Sequence, residues 1–294
     1  MAQAQRIEIM TSPTVKRRRL SHVLRQLRQS ADLTATEAAK RLEWDPSKVA
    51  RMERNQWKLP NVHDIRLLLD LYGVTDGRQR EVLITLARES RQRGWWANYE
   101  DVFRSSLPDF EAGASVIRTY EALLIPGLLQ TAAYAAAIWR AGQVLDEHTD
   151  HVIERHVQAR LARQQVLTRE SPPQLLTVID EAALIKVVGG PTVMREQLHH
   201  LIRMAASANV TIQVLPNSSG AHAAMTGGFA IMDFSSPADD PSLVYMETAT
   251  ENLWLETPEK HQQYALIFSR VQASALSPEE SVTCLSTHMD GYGR

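Results

Sequence analysis

The sequence predicts a multidomain chain, an all-α head of about five helices followed by an α+β body, and three observations carry that prediction. Apolar residues recur with helical period from Leu20 to about residue 91, broken by capping residues and glycine. Past about residue 105, short β-type runs alternate with helical ones. The net charge of −2 conceals a division: residues 1–94 hold 19 Lys/Arg against 11 Asp/Glu, and residues 95–294 hold 13 against 23. The excess is steepest from Lys16 to Pro60, with 12 basic and 5 acidic side chains. A basic head attracts polyanions and an acidic body is repelled by them. The expected layout is a flexible segment over 1–15, a helical head over 16–93, an aromatic junction over 94–104 and an α+β body over 105–290.

Composition narrows the class. The 294 residues, 44% of them hydrophobic, suffice for two packed cores. A lone cysteine, Cys284, allows no internal disulfide and no cysteine-rich zinc site. With no apolar run of about 18 residues and no leader-like N-terminus, the expectation is a cytoplasmic protein without a membrane partner.

In the first helix Leu20, Val23, Leu24 and Leu27 form one apolar stripe, with Arg17, Arg18 and Arg25 off it. Thr34 and Glu37 have capping-box spacing, which starts a second helix running to about Leu42. Ala38 and Ala39 on it are small enough for another helix to cross closely. Asp45 followed by Pro46 predicts the start of a third helix, since aspartate accepts free N-terminal amides and proline presets the first helical dihedral. Val49 and Met52 then point inward, and Ser47, Lys48, Arg51 and Arg54 point outward. Asn61 and Asp64 restart the chain, with Ile65, Leu68, Leu69 and Tyr72 as the next apolar face and Gly73 as the stop. A fifth helix over about 78–91 places Val82, Leu83, Leu86 and Ala87 inward.

Two helices joined by a short turn, the second presenting Lys and Arg from its first turns, form a helix-turn-helix that sets a recognition helix in the major groove of a double-stranded DNA operator. Base-edge contacts are assigned to Ser47, Lys48 and Arg51, because arginine grips guanine O6 and N7 bidentately and lysine and serine reach the same edges. Phosphate contacts are assigned to Thr34, Arg54 and Lys58, joined by Arg17 and Arg18 from the leading segment. The stretch Leu33 to Arg54 resembles the helix-turn-helix of the xenobiotic-response-element regulators, the family that includes phage repressors. That resemblance implies an ion pair between Arg28 of the first helix and Glu53 late in the third. It departs at two positions: Glu43 stands where many members carry glycine, implying a positive φ or a different turn, and Ala35 replaces a glutamine. Readout should rest the more on helix three.

Gly94-Trp95-Trp96-Ala97-Asn98-Tyr99 breaks the helical pattern at the charge boundary. In the body, 134–141, 147–168, 193–206 and 258–273 read as helices, and 175–179, 210–215, 228–234 and 242–247 as strands of a small sheet. The strings Tyr120 to Thr131, Arg160 to Gln164, Asp180 to Leu184, Gln213 to Pro216 and Ala275 to Ser281 resemble the C-terminal domain of uncharacterised role in actinomycete regulators, the WhiJ-like, antitoxin-like group. The resemblance implies a transcriptional regulator paired with a small acidic protein encoded nearby.

Chemistry beyond DNA binding is sparse in the sequence. His148, His151 and His156 do not share one helix face, and His199 and His200 point apart, so no metal site is expected. Asp180, Glu181 and His222 could form an acid/base set, but no nucleophile elbow, phosphate loop or zinc signature accompanies them, so neither catalytic residues nor a cofactor are expected. His222, Gly227 and Gly228 lie on a glycine-rich loop at a strand end and are the candidate ligand loop. The expectation is therefore a homodimeric, sequence-specific DNA-binding regulator, not an enzyme, whose body dimerises and responds to a small partner protein or a small molecule. The alternatives are a metabolite-sensing repressor with no protein partner and a hydrolase-like body tethered to DNA.

Overall fold

The computed structural model describes residues 12–57, 59–103, 105–142, 149–236, 240–248 and 250–292. The chain divides into two compact units, residues 1–98 with 235–241 and residues 99–234 with 242–294.

In the first unit α1 spans Pro13–Ser30, α2 Ala35–Arg41, α3 Lys48–Glu53, α4 Val62–Leu71 and α5 Gly77–Glu89. Helix α1 begins inside the segment expected to be flexible, because Ser12 accepts the Val15 amide and Pro13 occupies the first turn. Residues 1–11 of that segment lie outside the described residues. Thr34 caps α2 in a reciprocal box with Glu37. Helix α3 starts at Lys48, later than the Asp45-Pro46 signal suggested: Asp45 accepts from the Ser47 amide, so Pro46 and Ser47 form a tight turn ahead of the helix. Asn61 caps α4 and Asp76 caps α5.

The core of this unit joins Leu20 and Leu24 of α1, Ala38 and Ala39 of α2, Val49 and Met52 of α3, Ile65, Leu68 and Leu69 of α4, and Leu83 and Ala87 of α5. Truncating one of these leucines should cost roughly 2–5 kcal/mol through lost transfer energy and the cavity left behind. Val82, expected inward, is 49% exposed; the fourth inward residue of α5 is Ile84. A stripe of helical period drifts around the axis, and over α5 it passes through 83, 84, 86 and 87.

In the second unit α6 spans Leu107–Gly113, β1 Val116–Glu121, α7 Ala132–Ala141, α8 Asp150–Gln164, β2 Gln174–Asp180, α9 Glu181–Ile185, α10 Pro191–Ala205, β3 Val210–Leu215, β4 Phe229–Asp233, β5 Leu243–Glu247, β6 Asn252–Leu255, α11 Pro258–Ser274 and α12 Pro278–Gly291. The strands form one six-stranded mixed sheet in the order β3-β2-β1-β4-β5-β6, with β1, β2 and β3 parallel and β1, β4, β5 and β6 successively antiparallel. It is larger than the small sheet expected, since β1 and β6 were not anticipated.

Alternation along the strands gives the sheet two faces. On one, Tyr120, Val178, Ile231 and Val244 pack with Phe268 and Val271 of α11. Arg118 also lies on this side, paired with Asp233 at 2.7 Å and set over the Phe268 ring. On the other face Thr119 donates to Thr177 at 2.7 Å, and Thr119, Glu121, Ala230, Tyr245 and Glu247 share the floor of a cavity.

Candidate functional site

The helix-turn-helix is α2, the turn 42–47 and α3. The turn closes with Glu43 at φ +56°, the left-handed conformation that its non-glycine identity makes costly, and Asn55 ends α3 at φ +56°. Arg28 holds the crossing of α1 and α3: its Nε and Nη2 donate to the two Glu53 carboxylate oxygens at 2.7 and 2.9 Å, and Nη1 donates to the Leu33 carbonyl. Both side chains are largely buried, and the Glu53 hydrogen bonds hold the guanidinium above its ordinary pKa.

The assigned DNA residues fall into distinct environments. Ser47, Arg51 and Arg54 are exposed, and Thr34 is exposed at the start of α2. Ser47 donates its hydroxyl to Asp45, and this bond with the Ser47 amide holds the Asp45 carboxyl below the usual range. Lys48 is half-buried: its Nζ sits 2.9 Å from Asp64 and 3.8 Å from the centroid of the Trp44 ring. Arg17 donates to Asn55 at 3.0 Å. Arg18 departs from the phosphate role given to it. It is buried, donating to the Asp240 carboxylate at 2.9 Å and the Pro241 carbonyl at 2.7 Å within the same unit. Its position on α1 faces away from the stripe of Leu20 and Leu24 yet still into protein, which helical periodicity alone did not reveal. Lys58 lies outside the described residues.

The second unit holds a cavity of about 560 Å³, within the range of roughly 300–1,000 Å³ typical of small-molecule sites. Its floor is the sheet face just described, and its walls come from α6, α7, α8 and the segment 122–130. That segment is pinned by buried amides. Gln130 donates to the Ile125 carbonyl, Gln164 to the carbonyls of Gly127 and Gln130, and Gln197 accepts from Thr131 while donating to Leu129. Backbone polar groups that would otherwise be unsatisfied are thereby fixed.

Charged groups are concentrated in this cavity. Arg163 donates twice to Glu111, at 2.6 and 2.7 Å; burial opposes its charge and the Glu111 carboxylate more than offsets this, so its pKa is raised. Arg160 donates to Gln130, and burial pushes its guanidinium down to about 10. Glu121, at the end of β1, is pushed up to about 7 by burial, with Glu247 reinforcing the shift and Arg163 and Arg160 opposing it. Apolar and aromatic side chains, among them Leu124, Ile138 and Trp139, complete the lining.

Gly227 and Gly228 of the candidate ligand loop line this cavity, and His222 does not. His222 lies against Tyr120 and Asp180 on the opposite side of β1: Tyr120 donates to Asp180 at 3.0 Å, and the Ala224 amide donates to His222 Nδ1 at 3.3 Å. Glu181 accepts from the Asn217 amide and lies 3.1 Å from His288 Nε2, a structural clamp between α9, α12 and the turn after β3. Cys284 shares that neighbourhood, and burial together with Glu181 raises its thiol pKa. His148 lies outside the described residues. Sequence reasoning assigned no role to Glu111, Glu121, Arg160, Arg163 or Glu247, although the strings 120–131 and 160–164 that carried the family resemblance prove to contribute much of the cavity wall.

No helix among the described residues is long and apolar enough to cross a membrane. Comparison with known families matches residues 104–287 to a domain of unknown function, DUF5753, and residues 19–83 to a helix-turn-helix domain. No curated protein and no solved structure matches the chain.

Proposed function

Because the chain belongs to the DUF5753 family and carries a helix-turn-helix domain that makes it a DNA-binding transcriptional regulator, we propose that the head reads a specific duplex operator and that the body adjusts this binding in response to a small molecule held in its cavity. The observation that carries the DNA reading is the exposure of Ser47, Arg51 and Arg54 on and beside α3, with the capped start of α2 beside it. Arg51 and Ser47 are the base-edge readers, and Lys48 joins them by exchanging Asp64 for a base. Thr34, Arg54, Arg17 and Lys58 hold phosphates.

Two heads on paired half-sites supply the buried surface that one small head lacks, so the operator complex is a homodimer. Between the two effector classes, the cavity favours a small molecule over a small acidic protein, because its charged groups converge on a concave pocket of about 560 Å³ rather than spreading over a flat face. The role is regulation rather than catalysis.

Selection of duplexes from a random library by the full-length chain tests this reading. A single enriched motif, with two half-sites about one helical turn apart, is expected. No enrichment over bulk DNA overturns it.

A further inference from the structure

The cavity's charges do not balance. Glu111 and Arg163 neutralise each other through two hydrogen bonds. What remains is one guanidinium, Arg160, held by Gln130, against two carboxylates, Glu121 and Glu247. The Glu121 carboxylate makes no hydrogen bond or ion pair with the described residues. An enclosed carboxylate without a partner is costly, and a net negative pocket is made neutral by a guest of single positive charge.

The sheet register shows where that charge belongs. Tyr120 pairs with Phe229 and Ala230 with Tyr245, and the same registers continued to the strand ends set Gly228 between Glu121 on one side and Glu247 on the other. Across three strands the two carboxylates are thus separated by about 10 Å of backbone, with glycine between them. A Cβ at Gly228 would come 3.3 Å from a Glu121 carboxylate oxygen and 3.0 Å from the Tyr120 carbonyl, so glycine keeps a slot open beside both. Beyond the slot lie Leu124, Ile138, Trp139 and Tyr245. Aromatic faces attract cations as well as apolar carbon.

We propose that the cavity binds an organic monocation, a protonated amine on an apolar body, with its ammonium in the slot at Gly228 between Glu121 and Glu247 and its carbon skeleton against the aromatic and aliphatic wall. An ammonium brings three donors and no acceptor, which suits a slot edged by two carboxylates. This deepens the small-molecule reading given above and rests on it.

Proton linkage supplies a signature. Glu121 faces Arg160 and Arg163 from α8, Glu247 from β5 and the hydroxyl of Tyr134, with Glu111 of α6 bound to Arg163; the Tyr120 hydroxyl is coupled to it from the other face of the sheet. It must lose its proton to hold a cation, so an amine binds more tightly as pH rises through the neutral range and a carboxylate guest does the reverse. The test is calorimetric and thermal-shift titration of the full-length chain with phenethylamine, with phenethyl alcohol and phenylpropionate as the neutral and charge-reversed probes. Amine binding alone, tightening roughly tenfold from about pH 6 to about pH 8, is expected. Glu121→Gln should weaken it at least about tenfold and remove the pH dependence, and Glu247→Gln should weaken it while keeping the pH dependence. Thermal melts at about pH 6 check that both variants fold.

Binding of the alcohol or the carboxylate in place of the amine overturns the cation assignment while leaving a sensing cavity standing. Binding by none of the three, or amine binding indifferent to both substitutions, also overturns it. Amine binding that obeys the pattern but leaves operator affinity unchanged supports the site and sinks the sensing role.

Discussion

Arg51 and Arg18 have the same side chain and opposite environments, and they separate in measurement. Arg51→Ala should weaken operator binding by roughly 1–3 kcal/mol and relax preference at one base position; equal loss on all sequences would make it a backbone contact instead. Arg54→Ala should lower the slope of log affinity against log salt by about one, the signature of a lost phosphate contact. Arg18→Ala should leave that slope unchanged and lower the melting temperature, because a buried ion pair with Asp240 is broken. Glu53→Ala strands Arg28 in the same way and should destabilise the head by roughly 3–5 kcal/mol by denaturant titration.

Glu121 adds a pH dependence. Its folded-state value of about 7 lies above the ordinary 4.5, so between those limits the folded chain binds the proton more tightly than the unfolded chain does. Stability contributed by that proton is full below the lower limit and is lost as pH rises to the upper one. Wild type should lose stability relative to Glu121→Gln across this window; parallel melting profiles would show that the carboxyl is not enclosed as described.

At the scale of elements, six-residue α3 is too short to persist alone and depends on Val49 and Met52 packing into the core. The turn before it stores strain at Glu43, so Glu43→Gly should raise stability by up to about 1 kcal/mol, read as a melting shift. How legible the elements were follows from where their side chains face. The helices of the head could be read because each buries a periodic apolar stripe and carries a capping residue. Strand β1 escaped notice although it is central, because Arg118 and Glu121 make it look like a polar loop. In the fold Arg118 finds Asp233 across the sheet and Glu121 faces a cavity, environments that no local pattern reports. Strand β6 is an edge of four residues, only partly buried, and offers little alternation to detect. The cavity charges could not be paired from sequence, since Glu111 and Arg163 stand 52 residues apart.

For the whole molecule, the division of charge is the broadest feature: a basic N-terminal third and an acidic remainder with a net charge of −2. Binding to non-specific DNA by the intact chain should therefore fall steeply with salt while its overall charge suggests indifference, measurable by anisotropy across a salt series.

The pairing of β1 with β4 joins Val116 to Asp233, and it has a consequence in time. The apolar core of the head lies between residues 20 and 87, so it can close early in synthesis, while the Arg18–Asp240 pair of the same unit waits for residue 240. The cavity floor needs Thr119 and Ala230 side by side, which requires the chain to have been made through β4 and a long loop to have been closed. A freshly synthesised molecule thus gains its grip on DNA well before it gains the chamber proposed to govern that grip, and the newborn regulator passes through an interval of unsupervised binding.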